Sequence, residues 1–173
     1  EPFCIRTFAK HLCQVAWRHD NAVCLVQVTV QTGDVAGDDL VLEDGRNGTV
    51  TAKYTGLLLH SKYTPVKEAE TLISSFDPKN HDTVIFLGFG LGYGPIEFAK
   101  KHPDATMILV EKDPSRFFSA IDALDWSDVF RHKKIILLLG AGEEEVSALL
   151  GKCKTEATAV YKTKAQCAHS ENY

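Results

Sequence analysis

The chain has 173 residues, of which 45% are hydrophobic and 24% charged, a balance typical of an ordinary soluble domain. Its net charge of −4 and its pI near 6.0 disfavour a basic surface for nucleic acid or anionic lipid, so we expect neither as a partner. The longest apolar runs, such as residues 135–139, are far shorter than the roughly 20 residues that cross a bilayer, so we expect no membrane segment.

Cysteine, histidine and nucleophile patterns indicate no metal site and do not identify a catalytic residue. The five cysteines are scattered without a C-x-x-C pair, which favours a reducing, cytoplasmic location. The seven histidines include no H-E-x-x-H pair, and neither a Walker lysine nor a G-x-S-x-G elbow is present. The chain begins at Glu1 and ends in a polar stretch over residues 152–173, which we interpret as a strand and a linker toward a further domain.

Residues 1–57 are predicted to form an N-terminal helix followed by a β-rich satellite. Phe3, Phe8 and Leu12 recur at near-helical spacing, which predicts a helix over residues 3–17. A valine-rich alternation predicts a strand over 23–30. Strands over 40–43 and 49–54 flank a turn-rich loop and predict a β-hairpin. We expect these strands to form one small antiparallel unit.

Residues 58–151 alternate between helical and strand patterns. A first helix is predicted to begin with Thr64 as N-cap and Pro65 in its first turn, and to end before Pro78. Its predicted buried stripe is Val66, Ala69, Ile73 and Phe76. Apolar strands over 83–87, 106–111 and 134–139 then alternate with helices over 95–101, 114–124 and 143–150.

This alternation predicts a Rossmann-like α/β fold with a mostly parallel sheet in three α/β/α layers. Right-handed crossovers order the three strands 3-2-1. A last strand over 157–161 is expected on the far side of the first, which creates a crevice at the carboxyl ends of the strands.

A glycine-rich loop, containing Gly88, Gly90 and Gly92, joins the first of these strands to its helix. Glycine lets a ligand approach the backbone, and the helix start favours an anionic group. Glu111 ends the next strand, 19 positions after Gly92 (111 − 92), where a carboxylate binds ribose in nucleotide-binding sheets. We therefore predict a site for a nucleotide-containing ligand, with Tyr93 at its rim. The alternative is that the glycines only form a tight turn that lets helix and strand pack.

Two neighbouring features of the chain have open interpretations. The loop over residues 140–142 either holds a second part of the ligand or is a bare turn. Lys62 or Tyr63 either reaches the glycine loop to bind an anion, or belongs to a segment that pins the first helix on the sheet. Asp113 and Pro114 are predicted to cap the next helix.

The run from Val84 to Glu111 resembles the first motif of S-adenosylmethionine-dependent methyltransferases, in which the glycine loop wraps the methionine part and the acid binds ribose. The resemblance covers about seventy residues and implies S-adenosylmethionine as cofactor. It departs at Phe86, where those enzymes usually carry an acidic residue, and no methyl-acceptor motif follows.

Two segments together, Leu59 to Glu70 and Val84 to Tyr93, with Glu111 to Pro114 after them, resemble the N-terminal region of the motility accessory factor family. These bacterial proteins are implicated in glycosylating flagellin with nonulosonic acids. The resemblance covers residues 55–151 and implies a nucleotide-sugar as a candidate ligand and flagellin as a partner of the full-length protein. It also implies that a separate transferase domain, similar to an archaeal pterin diphosphokinase and to sialyltransferases, carries out catalysis outside this sequence.

Three hypotheses follow for the function of the chain. The first is a Rossmann-like binding or scaffolding domain of a motility accessory factor-like protein. The second is a methyltransferase, and the third is a non-catalytic interaction module with a vestigial nucleotide site.

Overall fold

A computed structural model describes residues 13–19, 22–28, 40–151, 153 and 155–162. Its strands are β1 (Cys13–His19), β2 (Ala22–Val28), β3 (Leu40–Asp44), β4 (Val50–Tyr54), β5 (Leu57–Leu58), β6 (Thr83–Leu87), β7 (Thr106–Glu111), β8 (Lys134–Leu139) and β9 (Thr158–Lys162). Its α-helices are α1 (Pro65–Ile73), α2 (Tyr93–Lys101), α3 (Pro114–Ala123), α4 (Ser127–Phe130) and α5 (Glu143–Leu150). Short 3₁₀ turns lie at Arg46–Gly48 and Thr155–Ala157.

The main sheet has six strands in the order β1-β2-β8-β7-β6-β9. All neighbours pair in parallel except β1, which runs antiparallel to β2 at one edge. The three apolar strands are therefore ordered 3-2-1, with the last strand on the far side of the first. Strands β6, β7 and β8 have the predicted bounds, and the Rossmann-like α/β fold is confirmed.

The N-terminal predictions are partly wrong. A helix was predicted over residues 3–17. Residues 3–12 of this range lie outside the described residues, and residues 13–17 belong to strand β1. Seven residue pairs join β1 to β2, and this cross-strand pairing overrides the near-helical spacing of the apolar residues. Strand β2 begins one residue before the predicted range, and it pairs with β8 in the main sheet and not with the hairpin. Residues 29 and 30 are outside the described residues, and the domain bounds at 57 and 151 stay predictions.

The predicted hairpin is present as β3 and β4, and β5 extends it to a three-stranded antiparallel sheet. The turn that leads into β5 contains Thr55 and Gly56, both with positive φ angles of 47° and 84°. One face of this small sheet packs on the Rossmann-like core, where Ala52 and Leu59 cluster with Leu91 and Tyr93. The hairpin therefore lies directly against the glycine loop.

Helix α1 begins at Pro65 as predicted, but the hydroxyl of Thr64 makes no capping hydrogen bond. The Oγ atom of Ser61 accepts the backbone N–H groups of residues 63 and 64 instead, each at 3.2 Å. Ala69, Ile73 and Phe76 are buried as predicted, although Phe76 lies beyond the end of the helix. Val66 is exposed, which corrects the predicted stripe: its position seven residues before Ile73 places it on the same side of the helix, but nothing among the described residues covers the first turn at this residue.

The remaining helices differ from the predictions only at their ends and at α4. Helix α2 begins two residues before its predicted start, α3 ends at Ala123, and the short helix α4 had no predicted counterpart. Within the part of the chain that the structure describes, no helix is long and apolar enough to cross a membrane.

Candidate functional site

The glycine loop connects β6 to α2 in a conformation that requires glycine at three positions. Gly88, Gly90 and Gly92 have φ angles of 62°, 57° and 97°, a region that L side chains rarely occupy. The Gly88 N–H donates to the carbonyl of Val110 in β7 at 2.8 Å, which anchors the start of the loop. The loop is thus a tight turn, and every residue from Gly88 to Ala99 is buried.

His60 covers the loop at Gly90. A Cβ atom added to Gly90 would lie 2.5 Å from Nε2 of His60. The same Nε2 accepts the N–H of Leu91 at 2.8 Å, so the neutral ring carries its proton on Nδ1. Burial lowers the pKa of His60 from 6.5 to about 4, with Glu68 acting in the opposite direction, which keeps the ring neutral and able to accept. An acceptor from the chain itself therefore occupies a place where a ligand group would bind the loop.

Trp126 covers the loop at Gly92. A Cβ atom there would overlap the indole ring, since Cε2 lies only 2.6 Å from the Cβ position. Trp126 is 2% exposed and packs edge-on against Phe89 and Phe117, with ring centroids 5.3 and 5.6 Å away. The buried indole ring of Trp126 therefore occupies the space that a side chain at position 92 would need.

Tyr93 is buried and does not lie at the rim of an open crevice. Its hydroxyl donates to the carbonyl of Val50 at 2.7 Å and accepts the N–H of Val50 at 3.3 Å. Burial raises the pKa of this phenol, while the bond to Val50 acts to lower it. The Tyr93 ring also meets His60 edge-on at 5.1 Å. Tyr93 thus fastens the start of α2 to strand β4.

Replacing Tyr93 with phenylalanine is expected to lower the free energy of unfolding by about 1 kcal/mol or slightly more, because Val50 loses its partner for both backbone groups. Urea denaturation measures this loss. Tyr63→Phe is the matched control, since Tyr63 is exposed. Equal stability of the two variants would show that the hydroxyl of Tyr93 does not hold the hairpin in place.

Glu111 is buried at the end of β7 and already has partners within the chain. Its Oε1 atom accepts the N–H of Asp113 at 3.1 Å and lies 3.5 Å from Nη1 of Arg116. Burial raises the pKa of Glu111 from 4.5 to about 7, against the opposing effect of Arg116. The guanidinium of Arg116 stacks on the ring of Tyr54 at 3.7 Å. Tyr54 of the hairpin therefore covers the side of Arg116 next to the Glu111 site.

Two predicted loops next to Glu111 serve as helix starts. The carboxylate of Asp113 accepts the N–H of Ser115 at 2.9 Å, as expected for the N-cap of α3. The Gly140 N–H donates to the backbone carbonyl of Glu111 at 2.8 Å, and Gly142 donates to the carboxylate of Glu145 at 2.8 Å. Both contacts match the bare turn that was one of the two interpretations of residues 140–142.

Comparison with known proteins identifies the family. The model of the glycosyltransferase Maf N-terminal domain matches residues 24–163. The chain belongs to this family. An uncharacterized protein of Treponema pallidum (strain Nichols) is 33% identical over 104 residues, which is 58% of this chain and 35% of that protein. The predicted relation to the motility accessory factors is thereby confirmed.

A solved structure, that of a MAf glycosyltransferase from Magnetospirillum magneticum AMB-1, has the same fold. The two superpose with a TM-score of 0.54 at 12% identity, over 74% of this chain and 28% of that one. This Maf N-terminal domain therefore spans about a third of each protein it matches.

The predicted ligand residues lie together in the structure, and side chains from elsewhere in the chain cover them. The structure places Gly88, Gly90, Gly92, Tyr93 and Glu111 around the carboxyl ends of β6 and β7. Sequence reasoning missed the residues that cover them: His60, Trp126, Arg116 and Tyr54.

Lys62 and Tyr63 have other partners. Lys62 pairs with Glu43 at 2.5 Å, and the ring of Tyr63 lies under the guanidinium of Arg46 at 4.5 Å. The residue of this segment that reaches the loop is its neighbour His60. The only sequence signal for His60 was the resemblance of the segment Leu59 to Glu70 to the motility accessory factor family. That resemblance includes the histidine but does not indicate which residue it contacts.

Proposed function

We propose that this Maf N-terminal domain is a scaffolding part of a cytoplasmic glycosyltransferase whose acceptor is flagellin and whose catalytic domain lies outside this sequence. The family match over residues 24–163 supports the glycosyltransferase context. The matching regions are 35% and 28% of the two Maf-related proteins, which supports assigning transfer chemistry to a part of the protein outside this domain.

One observation carries the scaffolding role: the chain's own side chains fill the approach to the glycine loop. A ligand on Leu91 must displace the Nε2 atom of His60, which is 2.8 Å from the amide nitrogen. A ligand over Gly92 must displace Trp126 from its aromatic cluster. Displacing a buried aromatic side chain costs several kcal/mol, which binding energy would have to offset. In this proposal the glycine loop is a packing element inherited from a nucleotide-binding fold.

A methyltransferase is the less supported alternative. The position at which those enzymes usually carry an acid is Phe86, which is 1% exposed and packs on Phe98 and Tyr161. A nucleotide-sugar or S-adenosylmethionine as ligand stays a prediction, and the experiment below separates these outcomes.

Calorimetric titration of the chain tests the proposal against both ligand classes. We expect no binding heat from S-adenosylmethionine, S-adenosylhomocysteine, or cytidine and uridine nucleotides. Binding of the adenosyl compounds that is lost in a folded Gly90→Val, Glu111→Ala variant would support the methyltransferase. Binding of pyrimidine nucleotides lost in the same variant would replace the scaffold with a sugar-nucleotide site.

The flagellin part of the proposal needs a separate measurement. Cells that carry the gene product without residues 40–162 are expected to produce flagellin whose intact mass lacks the added glycan. A second strain with the exposed substitution Phe118→Lys controls for expression of the altered gene. Full modification of flagellin in the strain without the domain would contradict the proposed function.

A further inference from the structure

The tip of the hairpin between β3 and β4 carries an asparagine–glycine pair. Asn47 and Gly48 are both exposed and lie in the 3₁₀ turn that begins at Arg46. Asn47 has a φ angle of 60° and a ψ angle of 32°, a left-handed conformation that asparagine adopts more readily than most residues. Among the described residues, nothing lies within 4 Å of the position that a Cβ atom on Gly48 would take. The main chain after Asn47 is therefore open to water.

Asn47 and Gly48 together contain the two groups that react in asparagine deamidation. The backbone nitrogen of Gly48 attacks Cγ of Asn47, a C–N bond forms, and the side-chain nitrogen leaves as ammonia with the amide proton of Gly48. Water then opens the resulting cyclic imide at one of its two carbonyls. Opening at one carbonyl leaves aspartate, and opening at the other leaves isoaspartate, in which the main chain runs through Cγ. Glycine after the asparagine favours the attack, because no Cβ atom crowds its nitrogen.

The attack requires rotation about the Cα–C bond of Asn47. At a ψ angle of 32° the nitrogen of Gly48 lies on the far side of this bond from Cβ. Two bonds from Thr49 oppose the rotation: its N–H and its hydroxyl donate to the carbonyl of Arg46, at 3.3 and 2.7 Å. Both bonds lie at the exposed tip, where water can replace them during local opening. The tip can therefore reach the reactive conformation without unfolding of the core.

A second glycine in the same loop is protected by its surroundings. Gly45 follows Asp44, and an aspartate before a glycine can form the same imide. The N–H of Gly45 donates to the carbonyl of Thr49 at 2.7 Å, and a Cβ atom on Gly45 would lie 2.9 Å from the carbonyl oxygen of Lys62. Because this nitrogen is bonded and crowded, we expect Asp44 to stay unchanged.

Asn80 is the matched comparison for Asn47, because it is also exposed. The nitrogen that would attack its side chain belongs to His81, and this N–H donates to the carbonyl of Asp77 at 2.8 Å. The side-chain amide of Asn80 donates to the carboxylate of the same Asp77 at 2.7 Å. Both reacting groups are therefore held in place, and the side chain of His81 adds steric hindrance that a glycine lacks.

We propose that Asn47 is a site of spontaneous modification by water, which converts its side chain to isoaspartate and aspartate through the cyclic imide. Asparagine is among the chemically labile residues, and the reaction needs no co-reactant besides water. The modification does not depend on the proposed function, because every group that reacts lies at the tip of the hairpin.

The modified tip is bonded to the segment that carries His60. The N–H of Arg46 donates to the carbonyl of Lys62 at 2.7 Å, two residues after His60. An isoaspartate at position 47 adds one atom to the main chain between Arg46 and Thr49, so the turn cannot keep its present path. We expect the amide hydrogen of Arg46 to exchange faster with solvent in the isoaspartate form.

Peptide mass spectrometry of the folded chain, incubated at neutral pH for several weeks, tests the proposal. Digestion at mildly acidic pH avoids new deamidation during preparation. We expect the peptide with Asn47 to gain the mass of an amide-to-acid change and to separate into two forms, with isoaspartate in excess. The peptide with Asn80 is expected to keep its mass. Asn47→Gln is expected to lose the mass change, because its longer side chain closes an imide far more slowly.

A parallel incubation in urea shows whether the fold selects the site. In the unfolded chain the Asn80 peptide is expected to convert as well, because its bonds to Asp77 are gone. A peptide with Asn47 that changes only in urea would overturn the proposal, since the turn would then protect the asparagine. Equal conversion of Asn47 and Asn80 in the folded chain, or aspartate as the only product, would overturn it too. Unchanged exchange of the Arg46 amide in the isoaspartate form would contradict the effect on Lys62.

Discussion

Replacing Gly92 with alanine is expected to lower the free energy of unfolding by about 3 kcal/mol or more. Two costs add at this position. The φ angle of 97° is unfavourable for alanine, and the new Cβ would overlap Trp126, whose Cε2 atom lies 2.6 Å from the Cβ position. The indole cannot move aside easily, because Phe89 and Phe117 pack against it. Urea or thermal denaturation of the purified variant measures the loss.

Gly48→Ala is the control that separates backbone strain from overlap. Gly48 has a φ angle of 72°, and nothing lies within 4 Å of its Cβ position. Its substitution is expected to cost only about 1–2 kcal/mol, the penalty of the left-handed conformation. If Gly92→Ala were no more destabilising than Gly48→Ala, Trp126 would not be packed against the loop as described.

The second large effect concerns the pH dependence of stability, to which Glu111 and His60 contribute with opposite signs. The pKa of Glu111 is raised from 4.5 to about 7, so its contribution is fully present below about pH 4.5 and is lost as pH rises through 7. The pKa of His60 is lowered from 6.5 to about 4, so its contribution is present above pH 6.5 and is lost as pH falls through 4. A change of this size in either pKa corresponds to about 3 kcal/mol in the free energy of unfolding.

Substitutions with glutamine separate the two contributions. In Glu111→Gln the free energy of unfolding is expected to rise with pH between about 4.5 and 6.5, because the opposing effect of the carboxyl is gone. In His60→Gln it is expected to fall with pH over the same range, and the amide oxygen can still accept the N–H of Leu91. Burial also lowers the pKa values of His102 and His132, but both residues are present in every variant and their effect cancels in the comparison. Parallel pH profiles for the parent and both variants would contradict the burial of these groups.

The Rossmann-like part of the fold was predictable because its signals are local. Strands β6, β7 and β8 are short apolar runs bounded by polar or turn residues, and their bounds were predicted without error. Strand β1 was not predictable, since its apolar residues fit a helical spacing equally well. Its pairing with β2, and the pairing of β2 with β8, are long-range contacts that no local pattern reports.

The candidate site was likewise predictable only in its locally encoded part. The glycines and Glu111 stand at positions that a strand, turn and helix pattern fixes locally. His60 lies 31 positions before Leu91 in the chain, and Trp126 reaches Gly92 from beyond helix α3. A single histidine or tryptophan belongs to no recognisable sequence spacing. The sequence could therefore predict the glycine loop and Glu111, but not the side chains that cover them. Those side chains are the reason for preferring a scaffold over a ligand site.

The most direct test of the filled glycine loop is a two-dimensional ¹H–¹⁵N spectrum of the chain during addition of S-adenosylmethionine or uridine and cytidine nucleotides. We expect the amide signals of Gly88, Gly90, Leu91 and Gly92 to stay in place. The Leu91 signal is expected to move instead in His60→Ala, because its acceptor is removed. Saturable shifts of these four amides in the unaltered chain would contradict the account and establish the loop as a ligand site.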